Sequence, residues 1–166
     1  MTLPEYIEQT RSTDLVNTVK HAALGLASEL GEVLGVFAKL ERGDPANWQD
    51  RLSAELGDVA WYLARLTDLR DPQPPLELPR ADMFIQPSFI GCANRLWHVA
   101  QFLAEHPDQR INCHSQNPDR TEYLWVYWVR MCQLYSIDPS LVLESNLAKL
   151  RDRAARRVLQ GDGDHR

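Results

Sequence analysis

Four acids, Glu29, Glu32, Glu55 and Asp58, sit in two copies of one short pattern. The copies, 26–33 and 52–59, both read Leu-x-x-Glu-Leu-Gly-acid-Val. On a helix, positions i and i+3 are surface neighbours, so each copy offers an adjacent pair of carboxylates. Unit charges about 4 Å apart repel by roughly 4 kcal/mol at an effective dielectric near 20, so four converging acids need compensation. A divalent cation is the natural one. Oxygen-only donors on a helical frame suit Mg²⁺, with Mn²⁺ as a substitute. Such an ion keeps open positions for water and phosphate oxygens. The histidines show no His-x-x-x-His and no Glu-x-x-His spacing, and Cys92, Cys113 and Cys132 are odd in number and far apart. Zinc, a histidine-containing di-iron centre and a disulfide framework are therefore unsupported.

Helices must position these acids. Leu26, Leu30, Val33, Phe37 and Leu40 form one apolar stripe, and Leu52, Leu56, Val59, Leu63 and Leu66 form its counterpart. At 100° per residue, Glu29 and Glu55 lie about 60° from their stripes and Glu32 and Asp58 about 120°. The acids thus stand on the shoulders of the buried faces, where antiparallel packing of the two helices would bring them together. The first helix is expected over about 15–40, stopped by Gly43 in a left-handed cap and by Pro45. The second runs from Asn47 or Asp50 to about Leu69, ahead of a proline-rich linker from Asp71 to Pro79. Ser88 is the expected N-cap of a third, ending near Glu105. A polar loop spans 106–120, the aromatic-rich segment 121–136 reads as helix, and Asp138-Pro139 opens a last helix to about Arg157. Gly25, Gly31 and Gly35 cost helix propensity and suggest close approach nearby.

These elements make an all-α helical bundle: a single domain over 1–160, an inserted helical segment at about 71–120, and a flexible tail at 161–166. The chain has 166 residues, 44% hydrophobic and 25% charged, with a net charge of -5. That balance is expected of a globular cytoplasmic protein and speaks against binding nucleic-acid polymers or a membrane surface. No secretory segment or membrane-spanning run is visible.

Residues 25–33 and 55–63, with Trp61-Tyr62-Leu63 closing the second stretch, resemble the MazG-like branch of the all-α NTP pyrophosphohydrolases. That family carries Glu-x-x-Glu, a spacer, then Glu-x-x-Asp, and the segment 142–151 resembles its closing Asn-x-x-Lys-Leu element. The likeness covers about 15–69 and 136–153. It implies a homodimer or homotetramer of helical bundles that uses Mg²⁺ to cleave an NTP or dNTP into the monophosphate and pyrophosphate, as in house-cleaning of non-standard or excess nucleotides. Glu29, Glu32, Glu55 and Asp58 match the metal-binding and catalytic acids, one of which also orients or deprotonates the attacking water. Lys39 matches a basic position after the first pair. Asn146 and Lys149 match the last element, with Arg153 extending their face toward sugar or phosphate.

The chain departs from compact members in the segment 71–120, expected to be a lid, a base-recognition wall or a subunit contact. Tyr62, on the flank of Glu55 and Asp58, is the best-placed aromatic for a nucleobase, whereas Trp61, Trp125 and Trp128 read as packing. The alternative of another class is a non-catalytic helical interaction module with structural surface acids.

Overall fold

Cap chemistry sets where the helices begin and end. The computed structural model describes residues 1–13, 18–44, 46–71, 75–80, 88–109 and 121–156. They form α1 (Leu3–Thr10), a 3₁₀ turn (Arg11–Thr13), α2 (Val19–Glu41), α3 (Trp48–Arg70), α4 (Phe89–Glu105), α5 (Glu122–Leu134) and α6 (Pro139–Ala155), with no strand among the described residues. Thr18 Oγ1 accepts from the His21 N–H and Ser88 Oγ from the Gly91 N–H, while an Asp138 carboxylate oxygen accepts from the Ser140 N–H. Each satisfies a donor that the first helical turn leaves without an intrahelical partner. At the other end of α2, Gly43 adopts φ +84°. Its N–H donates to the Leu40 carbonyl and the Asp44 N–H to the Lys39 carbonyl, the paired bonds of a Schellman stop.

α1 was not anticipated, although Thr2-x-x-Glu5 forms a capping box and Pro4 lies in the first turn. The expected start of α2 at Leu15 falls outside the described residues, as do 110–120 of the polar loop and the tail at 161–166. The described residues 75–80 between α3 and α4 are non-helical, in keeping with a proline-rich linker.

α2 and α3 pack as an antiparallel pair: Gly25 meets Tyr62, and Glu29 stands beside Glu55 and Asp58. The α3 stripe is buried throughout, whereas on α2 Leu26, Leu30 and Val33 are buried together with Val36, and Phe37 and Leu40 are half-buried. α3 is central, touching α1, α2, α5 and α6, while α2 packs on α3 and α4. α4 belongs to the same core, burying Phe89, Cys92, Ala93, Leu96, Ala100 and Leu103. Cys92 and Cys132 are buried among these side chains, and burial pushes the Cys92 thiol up to about 11 and raises that of Cys132. No helix among the described residues is long and apolar enough to cross a membrane.

Candidate functional site

Three of the four acids converge. Single carboxylate oxygens of Glu29, Glu55 and Asp58 all lie within 4.8 Å of one another, and each side chain is half-buried. Glu32 stands outside this trio and exposed, with no ion pair or hydrogen bond among the described residues, yet its charge acts on both Glu29 and Glu55. The helical offsets explain the difference. Glu29, 60° from the buried stripe, points along the α2–α3 seam, and Glu32, a further 60° round, clears it. Asp58 has the angular position of Glu32 on its own helix but is covered by α6.

That cover is a polar network. Lys149 Nζ donates to both oxygens of Asp58, at 2.7 Å (Oδ1) and 2.6 Å (Oδ2). Asn146 Nδ2 donates to Asp58 Oδ1 at 2.9 Å, and Asn146 Oδ1 accepts from the Tyr6 hydroxyl at 2.9 Å. Tyr6 is fully buried, and burial, reinforced by the Asp58 charge, pushes its phenol well above the usual range, so it remains a donor. A Cβ on Gly57 would come within 3.1 Å of Asn146 Cβ, so the missing side chain lets α6 approach this closely. Next to this network on α3, Trp128 Nε1 donates to the Leu56 carbonyl at 2.9 Å and anchors α5 to the helix that carries Glu55 and Asp58.

Electrostatics follow from crowding. Burial first, then the charges of Asp58 and Glu55, push the Glu29 carboxyl up to about 7. Burial and the charges of Asp58 and Glu32 raise Glu55, while Lys149 and Lys39 pull it back. Lys39 is thus close enough to be felt, though it is exposed. A cleft of about 280 Å³ runs alongside, between α3 (Asp50, Ser53, Ala54, Gly57) and α6 (Val142, Ser145, Asn146, Lys149). Asn146 and Lys149 form the border between cleft and carboxylates. Arg153 lies one turn farther along α6, half-buried.

Tyr62 occupies a different setting. Its ring lies against Gly25, where an added Cβ would fall 2.0 Å from it, and it meets Trp61 edge-on at 4.7 Å between ring centres. Trp125 and Trp128 are fully buried, consistent with packing roles, and Trp61 is tied to Thr13 by a 2.9 Å hydrogen bond. Of the three glycines read as marking close approach, only Gly25 does so; Gly31 and Gly35 face open space, and Gly57 takes their place. Tyr6 was missed because 140 positions separate it from its partner Asn146.

The donor set fits a hard divalent cation. Oxygens around one Mg²⁺ at about 2.1 Å stand roughly 3–4 Å apart, so a trio already within 4.8 Å needs only side-chain adjustment. Comparison of the chain with protein-family models, with curated proteins and with solved structures finds no match.

Proposed function

We propose that this chain is a Mg²⁺-dependent nucleotide pyrophosphohydrolase that cleaves an NTP or dNTP into the monophosphate and pyrophosphate. The observation that carries the reading is the meeting of Glu29, Glu55 and Asp58 across two helices, at the edge of a cleft bordered by Lys149 and Asn146. The order of the sequence elements supports the same assignment, since Glu29 from the first acid pair, both acids of the second and the Asn146–Lys149 segment lie together.

Glu29, Glu55 and Asp58 would hold the ion, which when bound polarises phosphoryl oxygens and acidifies a coordinated water. The chain's own residues do the rest. Lys149, with Lys39 and Arg153 farther out, offers cationic donors to the phosphates. Asn146, fixed between Tyr6 and Asp58, holds one wall of the phosphate cleft. Glu32, in the field of the trio but outside it, is the carboxylate left to orient or deprotonate the attacking water. Tyr62, half-buried on the α2–α3 seam against Gly25, is the aromatic assigned to stack on the base. A homodimer or homotetramer belongs to this reading and is checked by light scattering.

Incubating the protein with Mg²⁺ and a panel of canonical and modified nucleotides, with monophosphate and pyrophosphate both quantified, tests the proposal. Equimolar release of the two products that stops on chelation is the expected result. Release of orthophosphate would replace pyrophosphate release by a different phosphohydrolase activity, and no metal-dependent turnover across the panel would leave the competing reading of a helical interaction module.

A further inference from the structure

We infer that Lys149 is a resident counter-ion that a divalent cation must displace from Asp58, so the chain carries its own competitor for the metal position. The inference rests on the metal-site reading above and adds its regulation. A carboxylate presents about four lone-pair directions. On Asp58, Lys149 takes one on each oxygen and Asn146 takes another on Oδ1. A metal ion approaching Asp58 therefore meets an ammonium already bridging both oxygens, and two cations on one carboxylate repel each other.

Of the two donors, Lys149 is the one able to leave. Asn146 is 3% exposed, bonded on its far side to Tyr6 and pressed against Gly57. Lys149 has a flexible four-carbon stem, a side chain 24% exposed, and a position on the wall of the α3–α6 cleft. An anion in that cleft offers its ammonium a second home. Whatever holds Lys149 there frees Asp58 for the cation, and by linkage the cation releases Lys149 toward the anion by the same factor. Metal and phosphate would thus load cooperatively without movement of a helix.

Mg²⁺ titration calorimetry on the full chain, with no nucleotide present, tests this. Lys149→Gln is expected to tighten Mg²⁺ binding roughly tenfold or more, whereas Lys39→Gln, which removes a cation that does not touch Asp58, tightens it less than about threefold. Lys149→Arg, which keeps the charge, stays near the wild-type affinity. Thermal unfolding of each variant confirms that the bundle is intact, and if Lys149→Gln fails to fold the spectroscopic arm on wild-type protein still decides. There, the Lys149 ammonium nitrogen resonance should move toward those of solvent-exposed lysines as Mg²⁺ saturates. A resonance that stays in place at saturation, or a Lys149→Gln affinity equal to or weaker than wild type, overturns the inference. Absence of Mg²⁺ uptake by any of these proteins would instead discard the metal-site reading itself.

Discussion

The two copies of Leu-x-x-Glu-Leu-Gly-acid-Val are nearly identical as sequence and unlike as structure. In the first, Glu32 is exposed and Gly31 faces open space; in the second, Asp58 is half-buried under Lys149 and Asn146, and Gly57 is pressed against α6. The local code is the same, because both copies are helical and both place their acids at the same angles from the core. What differs is the neighbour. α2 is flanked by α3 and α4 and leaves its second acid uncovered, whereas α3 lies in the middle of the bundle and has α6 laid across the equivalent position. A repeated motif thus yields one acid that is held and one that is free.

Substitution at the paired positions should break this symmetry most visibly. Asp58→Asn and Glu32→Gln are each expected to lower pyrophosphate release by at least about a hundredfold, the size of a lost charge interaction at a phosphoryl-transfer site. Stability should separate them. Asp58→Asn removes the carboxylate that Lys149 bridges and should destabilise the fold by roughly 1–3 kcal/mol, while Glu32→Gln, on an exposed side chain, should stay within about 0.5 kcal/mol. Chemical denaturation alongside product assays reads both. Equal stability losses would mean that the cover over Asp58 is not what distinguishes the copies.

Next in size is packing along the seam. Gly25→Ala places a methyl group 2.0 Å from the Tyr62 ring, which must swing out of its seat between the helices. A loss of about 1–3 kcal/mol is expected, less the propensity gain of alanine. The companion variant Tyr62→Ala/Gly25→Ala should be less destabilised than the sum of its parts. Strict additivity would show that Gly25 is not there for the ring.

The third test uses pH. The Glu29 carboxyl, pushed up to about 7 from 4.5, binds its proton more tightly in the folded chain, and Glu55 is shifted in the same direction. The folded state then holds more protons than the unfolded one between these values, so metal-free stability is full below about pH 4.5 and declines as pH rises through 7. For Glu29 the decline should be on the order of 2 kcal/mol after allowance for its partial exposure. Asp58→Asn, which removes the larger of the charges acting on Glu29, should flatten the slope, and Mg²⁺ should stabilise more at pH 8 than at pH 5. A melting temperature that rises between pH 5 and 8 without metal would contradict the crowding of the trio.

How much of this was legible depended on range. Ser88, Asp138-Pro139 and Gly43 announced helix ends because caps act within one turn. The stripes announced the α2–α3 seam because burial follows the 3.6-residue period. The Thr2-x-x-Glu5 box is an equally local signal, for the start of α1. Long-range pairings carried none: nothing in the periodicity of α1 directs the Tyr6 hydroxyl to Asn146, nor the Trp128 indole to the Leu56 carbonyl. Asn146 and Lys149 were placed on one face by spacing alone, but that this face closes over Asp58 and not over Glu32 depends on which helix occupies the centre.

The smallest expected effect is also the sharpest comparison, because it differs in sign. Gly31 and Gly57 occupy the same place in the two copies, and each is an interior helical glycine that alanine would favour by about 1 kcal/mol through propensity. At Gly31 an added Cβ meets nothing within 4 Å, so Gly31→Ala should stabilise by up to that amount. At Gly57 the Cβ would lie 3.1 Å from Asn146 Cβ and 3.2 Å from its Nδ2. Asn146 has little room to yield, because Tyr6 and Asp58 hold its two amide atoms and its Cβ moves only with the α6 backbone. The strain should cancel the propensity gain and leave Gly57→Ala destabilised by about 1 kcal/mol. Tyr6→Phe releases one side of Asn146, so in that background the penalty at Gly57 should shrink while the gain at Gly31 is unchanged. If both alanine variants stabilise equally, Gly57 is not the contact point that lets α6 cover Asp58, and the asymmetry of the two acid pairs must come from elsewhere along the α3–α6 interface.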